Sequence, residues 1–189
     1  MIRIGILGEI GSGKSYVAKN FGYPVFDADS EVAKLYKKDK KIFIKLKKAL
    51  PKYFHSFPVS KSEISRAILI NQKNLKKIVN IVHFEITKKL NFFLKKNKDK
   101  EILILDVPLL LENKINKKND ILVFVQANRS EISRRLKKRK NFNQKILNKF
   151  KKIQLPLDYK KKKSDFIIKN NFTNKSVKKH IRNILKEIL

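Results

Sequence analysis

Five short, nearly unbroken apolar runs constrain this chain more than any other feature. They are Ile2-Arg3-Ile4-Gly5-Ile6-Leu7, Tyr23-Pro24-Val25-Phe26, Ile102-Leu103-Ile104-Leu105, Ile121-Leu122-Val123-Phe124-Val125 and Phe166-Ile167-Ile168. Runs so short and so apolar suit strands covered on both faces. Helical spacing is expected between and around them, over residues 14–21, 29–50, 61–70, 73–96, 130–139, 143–154 and 175–188. The expected class is therefore α/β, with a parallel five-stranded sheet flanked by helices. Between the second and third runs lies a long, mostly helical segment, about residues 27–100, far more than a crossover needs. A helical insertion carrying specificity is expected there. At 189 residues the whole chain, 1–189, is expected to fold as a single domain.

The chain has only five glycines, and four of them fall between Gly5 and Gly13. Gly8-Glu9-Ile10-Gly11-Ser12-Gly13-Lys14-Ser15 fits G-x-x-x-x-G-K-[ST] and sits between an expected strand and an expected helix, the context that pattern requires. Glycines let the backbone curl until successive N–H groups face one anion. The helix that follows adds the partial positive charge of its N-terminus. Lys14 is then expected to reach the β- and γ-phosphates of a nucleotide, and Ser15 to complete a magnesium shell.

Three further features bear on the chemistry. Asp27-Ala28-Asp29 follows the second run, at the sheet edge where open α/β folds place ligands. Asp29 is expected either as a general base for an attacking hydroxyl or as a cap for the helix that begins there. Asp106 ends the third run and opens Asp106-Val107-Pro108-Leu109-Leu110-Leu111-Glu112. It either helps hold magnesium through water or simply caps the strand end. Arg129, Arg134, Arg135 and Arg139 are four of only seven arginines in the chain. Arg135 and Arg139, spaced i, i+4, are expected on one helix face as a phosphate clamp. The alternative is a solvated face, which lysine would serve as well.

The formal net charge is +31, which raises the possibility of nucleic-acid binding. However, lysine supplies 40 of the 47 basic residues and is spread along the whole chain. Arginine is the better residue for bidentate phosphate and base contacts, so the lysines are expected to form a solvated surface with no specific nucleic-acid partner. There is no cysteine, and His55, His83 and His180 lie too far apart in sequence to suggest a metal cluster. No apolar run approaches the roughly 18 residues of a membrane span. A cytoplasmic protein without a membrane partner is expected, with a monomer as the default.

The chain resembles the dephospho-CoA kinase family over nearly its whole length. The resemblance rests on GILGEIGSGKSYVA, DADSEVAK, VPLLLE, RRLKKR, Gln154 and SDFIIKNN. It implies a P-loop kinase fold that transfers the ATP γ-phosphoryl group to the ribose 3′-hydroxyl of dephospho-CoA, with Mg2+ accompanying ATP. ATP binding would fall on Gly11, Ser12, Gly13, Lys14, Ser15 and Tyr16, and the general base on Asp29. Residues 29–96 would be the acceptor-binding insertion and 134–155 a lid bearing Arg135 and Arg139. Asp165 and Asn170 match a segment near the nucleotide base. The chain departs from the family pattern at Glu9, Phe84 and Ile132, where glycine, proline and glutamine are usual; the Glu9 side chain is expected to face solvent. Two alternatives stand beside this one: another P-loop nucleotide or small-molecule kinase, and a basic nucleic-acid-binding protein.

Overall fold

The computed structural model describes residues 1–140 and 142–189. Among the described residues five strands form one sheet: β1 (Ile2–Gly8), β2 (Val25–Asp27), β3 (Ile102–Asp106), β4 (Ile121–Gln126) and β5 (Phe166–Lys169). Their order is β2-β3-β1-β4-β5 and every pairing is parallel. All five carboxyl ends therefore lie along one edge, and the chain reverses its direction of winding beside β1. Each expected strand is present.

The pleat of β1 divides its side chains between two layers. Ile4 and Ile6 are fully buried in a core shared with Val17 and Phe21 of α1 (Lys14–Asn20) and its C-cap, and with Val177 and Ile181 of α9 (Asn174–Ile188). Truncating either isoleucine to alanine would cost about 2–5 kcal/mol. On the other face, Leu110 fills the space a side chain at Gly5 would need: a Cβ there would lie 2.5 Å from Leu110 Cδ2. This packing ties the segment after β3 to the central strand.

The chain divides into two compact units. One comprises Met1–Asp27, Leu94–Phe142 and Gln154–Leu189; the other comprises Ala28–Phe93 and Asn143–Ile153. The second unit is helical. The single helix expected over 29–50 is two, α2 (Ala28–Lys38) and α3 (Lys40–Ala49). Asp39 separates them: its carboxylate accepts from the Lys41 and Ile42 N–H groups at 2.8 and 3.2 Å, capping a new helix. α4 (Lys61–Ile70) starts on a Ser60/Glu63 capping box, and α5 (Gln72–Lys96) follows. α5 continues unbroken past Phe84, whose exposed ring lies under the ammonium groups of Lys88 and Lys45 at 4.2 and 5.5 Å.

The expected segment 134–155 is divided between the units. α6 (Arg129–Lys137) belongs to the sheet unit, whereas α7 (Gln144–Lys151) packs on α4 and takes a 3.0 Å hydrogen bond from Gln72 Nε2 to Lys149 O. Asn141, inside that segment, lies outside the described residues. α6 and α7 both stop short of the expected 139 and 154. A short helix that the apolar pattern does not announce, α8 (Leu157–Lys162), begins after Pro156. Among the described residues, no helix is long and apolar enough to cross a membrane.

Candidate active site

The segment between β1 and α1 is shaped by the main chain. Gly8, Gly11 and Gly13 all have positive φ, at 142°, 90° and 92°. Gly13 is the most constrained, because a Cβ there would be strained and would also lie 2.4 Å from Asn170 Nδ2. That amide, just beyond β5, donates to Ser12 O at 2.8 Å and so holds the loop from the far side of the sheet. Above the loop, Ile132 and Leu136 of α6 press onto Gly11, where a Cβ would meet Ile132 Cγ2 and Leu136 Cγ at 3.0 Å. The departure at Ile132 thus puts a buried apolar side chain over the loop, in place of a polar one.

Lys14 Nζ donates to Gly8 O at 3.1 Å and to Glu9 O at 2.9 Å. Its ammonium is therefore held at the mouth of the loop by two neutral carbonyls, which anionic phosphate oxygens would displace. Ser15 stands beside Asp106, the last residue of β3, where its hydroxyl favours the ionised carboxylate. Asp106 is 4% exposed, and burial pushes its carboxyl above the ordinary carboxylate range. The Ser15 hydroxyl and the Lys14 charge oppose that shift, and Asp27 adds to it. Asp27 is the register partner of Asp106 on the adjacent strand, so two acids stand side by side at the carboxyl edge. Ser12 is buried in the loop, Tyr16 is exposed on α1, and Glu9 is half-buried.

Asp29 lies in the first turn of α2, directly after the strand bearing Asp27, and is exposed. Helix α2 begins at Ala28, so Asp29 stands inside its first turn, past the N-cap position.

The arginines do not form one face. Arg134 pairs with Glu131 at 2.6 Å on the exposed side of α6. The guanidinium of Arg135 lies over the Phe172 ring, 4.3 Å from its centroid. Arg139 is past the end of α6, in a turn where its N–H donates to Leu136 O at 3.0 Å. The expected i, i+4 pair on one helix face is thereby corrected, because the helix ends at Lys137 before reaching Arg139.

Asn170 and Asp165 also part company. Asn170 is at the carboxyl edge, touching the loop. Asp165 precedes β5 at the opposite edge, where its carboxylate accepts from Leu122 N at 2.7 Å and its own N–H donates to Leu122 O at 2.8 Å. Asp165 ties strand starts together and is not near the loop. Phe172, in the left-handed region at φ 63°, has no signal in the sequence beyond its place two residues after Asn170. The Asn170 carboxamide fixes it by accepting from Phe172 N at 2.8 Å.

A parallel sheet in this order, with a glycine loop, a lysine and a serine leading from the central strand into a helix, defines a P-loop protein of the kinase type. The model of the dephospho-CoA kinase family matches residues 2–176. The dephospho-CoA kinase of Wolbachia pipientis wMel is 37% identical over 96% of this chain and 95% of that protein. A crystal structure from Thermus thermophilus aligns with a TM-score of 0.79 at 26% identity, covering 100% of this chain and 98% of that one. The dephospho-CoA kinase of Campylobacter jejuni, at 18% identity, shares the fold, with a TM-score of 0.66 over 98% of this chain and 96% of that one. The chain belongs to the dephospho-CoA kinase family. Neither a different kind of P-loop kinase nor a nucleic-acid-binding protein is favoured by these likenesses.

Proposed function

We propose that this chain transfers the γ-phosphoryl group of ATP to the ribose 3′-hydroxyl of dephospho-CoA, giving coenzyme A and ADP in the cytoplasm. The observation that carries this is the loop itself: positive-φ glycines, Lys14 poised on two carbonyls, and Ser15 beside a buried Asp106, in a chain of this family.

The 3′-oxygen attacks the γ-phosphorus, its proton passes to Asp29, and the bond to the β,γ-bridging oxygen breaks as ADP leaves. Gly11, Ser12, Gly13, Lys14, Ser15 and Tyr16 form the ATP segment, with main-chain N–H groups cradling phosphate oxygens. Lys14 exchanges its carbonyl partners for the β- and γ-phosphates. Asp29 is the general base because it follows β2 at the carboxyl edge and is exposed enough to meet an incoming hydroxyl.

A divalent cation accompanies ATP in kinases, and Mg2+ is the ion this donor set suits. Ser15 and Asp106 offer hard oxygen donors, Asp106 through water. Among the described residues, no group of three or more His, Cys, Asp or Glu forms an all-protein cage, which fits an ion shared with substrate phosphates. Such an ion supplies charge neutralisation at the phosphates.

Residues 29–96 bind the acceptor and 134–155 close over ATP as a lid, with Arg135 and Arg139 contacting phosphates. Closure excludes water and so protects the γ-phosphoryl group from hydrolysis. The test is an acceptor panel with purified protein and Mg-ATP, following ADP release and product mass. Phosphorylated dephospho-CoA is expected; ADP formation with a nucleoside monophosphate but none with dephospho-CoA would refute the assignment.

A further inference from the structure

Resemblance sets Asn170 near the nucleotide base, but its contacts point elsewhere. The residue is 2% exposed, and its carboxamide is bonded at both ends. Nδ2 donates to Ser12 O and Oδ1 accepts from Phe172 N, both at 2.8 Å. A carbonyl on one side and an N–H on the other fix which end of the carboxamide is which. The main chain of Asn170 is pinned as well, since its N–H donates to Gln126 O of β4 at 2.7 Å. All these residues belong to the sheet unit.

Ser12 is thereby gripped from two directions. Its N–H donates to Glu9 O at 3.1 Å, and its carbonyl accepts from Asn170. The Ser12–Gly13 peptide is trans, so its C=O and its N–H point in opposite directions. With Ser12 O turned onto Asn170, the Gly13 N–H is turned away from it. Nothing local enforces that orientation. Gly13, at φ 92°, must lack a Cβ because one would collide with Asn170 Nδ2, and glycine is the residue that least resists rotation of an adjoining peptide. The same contact that demands glycine therefore supplies the restraint that glycine lacks.

We propose that Asn170 is a positioning residue for phosphate binding: its amide holds Ser12 O outward, so that the Gly13 N–H faces the phosphates of ATP and not its base is what Asn170 serves. This rests on reading the loop as the phosphate site. A main-chain N–H already aimed at an anion makes a charge-assisted hydrogen bond without reorganising. One free to turn away must be ordered as the ligand binds, which weakens affinity.

Asn170→Leu removes the donor at similar size and adds no charge. Calorimetry would compare Mg-ATP with Mg-tripolyphosphate, which carries phosphates and no base. Physiological salt screens the diffuse attraction of polyanions to the lysine surface, and the binding that Lys14→Ala abolishes is the loop's own. Both affinities should fall by the same factor, about tenfold or more. In the wild type, saturating Mg-tripolyphosphate should protect the Gly13 amide from hydrogen exchange by about 10²-fold, and in a folded Asn170→Leu chain that protection should be lost. A merely structural tie would lower the thermal midpoint and leave Gly13 protected. A loss confined to Mg-ATP, no loss with either ligand, or equal Gly13 protection in both chains would overturn the proposal. A wild type that binds neither ligand would instead overturn the phosphate-loop reading beneath it. Should Asn170→Leu not fold, the wild-type exchange decides: a Gly13 amide that gains no protection from Mg-tripolyphosphate overturns the proposal.

Discussion

The phosphate loop and the α6 arginines are neighbours in the same unit, and both are clusters visible in the sequence, yet they behave differently. In the loop, residues close in sequence act together: Gly11, Ser12, Gly13, Lys14 and Ser15 share one concave backbone, and Lys14 bonds to carbonyls five and six residues earlier. On α6, residues close in sequence separate. Arg134 turns to a surface glutamate, Arg135 to Phe172, and Arg139 falls beyond the helix end. A backbone site is specified by dihedral angles that glycine alone adopts cheaply. A side-chain cluster is specified by helix phase and helix length, and one early stop disperses it.

The largest effect that could break this contrast belongs to the loop. Lys14→Ala should abolish turnover with dephospho-CoA, measured as product by mass, because no other side chain of the loop carries charge to the β- and γ-phosphates. Measurable turnover above a few per cent of wild type would show that the loop is less unified than its geometry implies. Next, Asp29→Asn should lower kcat by about 10²-fold or more with ATP affinity nearly intact. Wild-type speed would return Asp29 to a purely helix-stabilising role.

Asp106→Asn should separate activity from stability. Burial raises the Asp106 carboxyl, so the folded state favours its protonated form and the ionised form at neutral pH costs stability. That penalty is full above the raised value and disappears below the ordinary carboxylate range. The asparagine variant should therefore melt higher than wild type at pH 7, lose this advantage in acid, and lose about tenfold in kcat. A lower melting point at pH 7 would contradict the assigned direction.

The smaller effects sharpen the comparison on the α6 side. Arg139→Ala should reduce kcat several-fold, about tenfold at most, while ATP affinity changes less, as a contact made mainly in the transition state requires. Arg134→Ala should change either quantity by less than about twofold, because it breaks only an exposed i, i+3 pair. If Arg134 proves as costly as Arg139, the cluster acts as a unit after all.

Much of the fold was legible because it is written in local pattern. All five strands follow from apolar runs, and the strand–loop–helix around Gly8 to Ser15 follows from covalent geometry over a few residues. Helix ends were less legible. Asp39 reads as one more polar residue in a long amphipathic stretch until its carboxylate is seen capping α3. The site was legible in part for the same reason. Resemblance pointed to Asp165 and Asn170 together, but only Asn170 reaches the loop. They lie at opposite ends of one strand, a distinction that a match of residue types does not carry.

By itself the sequence determined the parallel sheet, the phosphate loop and the acids at the strand ends, since each depends on dihedral preference and apolar period within a short span. Tertiary structure alone decided what meets across the chain: Asn170 on Ser12, 158 residues apart, Ile132 over Gly11, and Lys160 rather than its three lysine neighbours against Glu112. Four consecutive lysines are chemically identical in sequence. Only the rotation of α8 against β1 buries the first of them, and burial is what turns a surface charge into a partner.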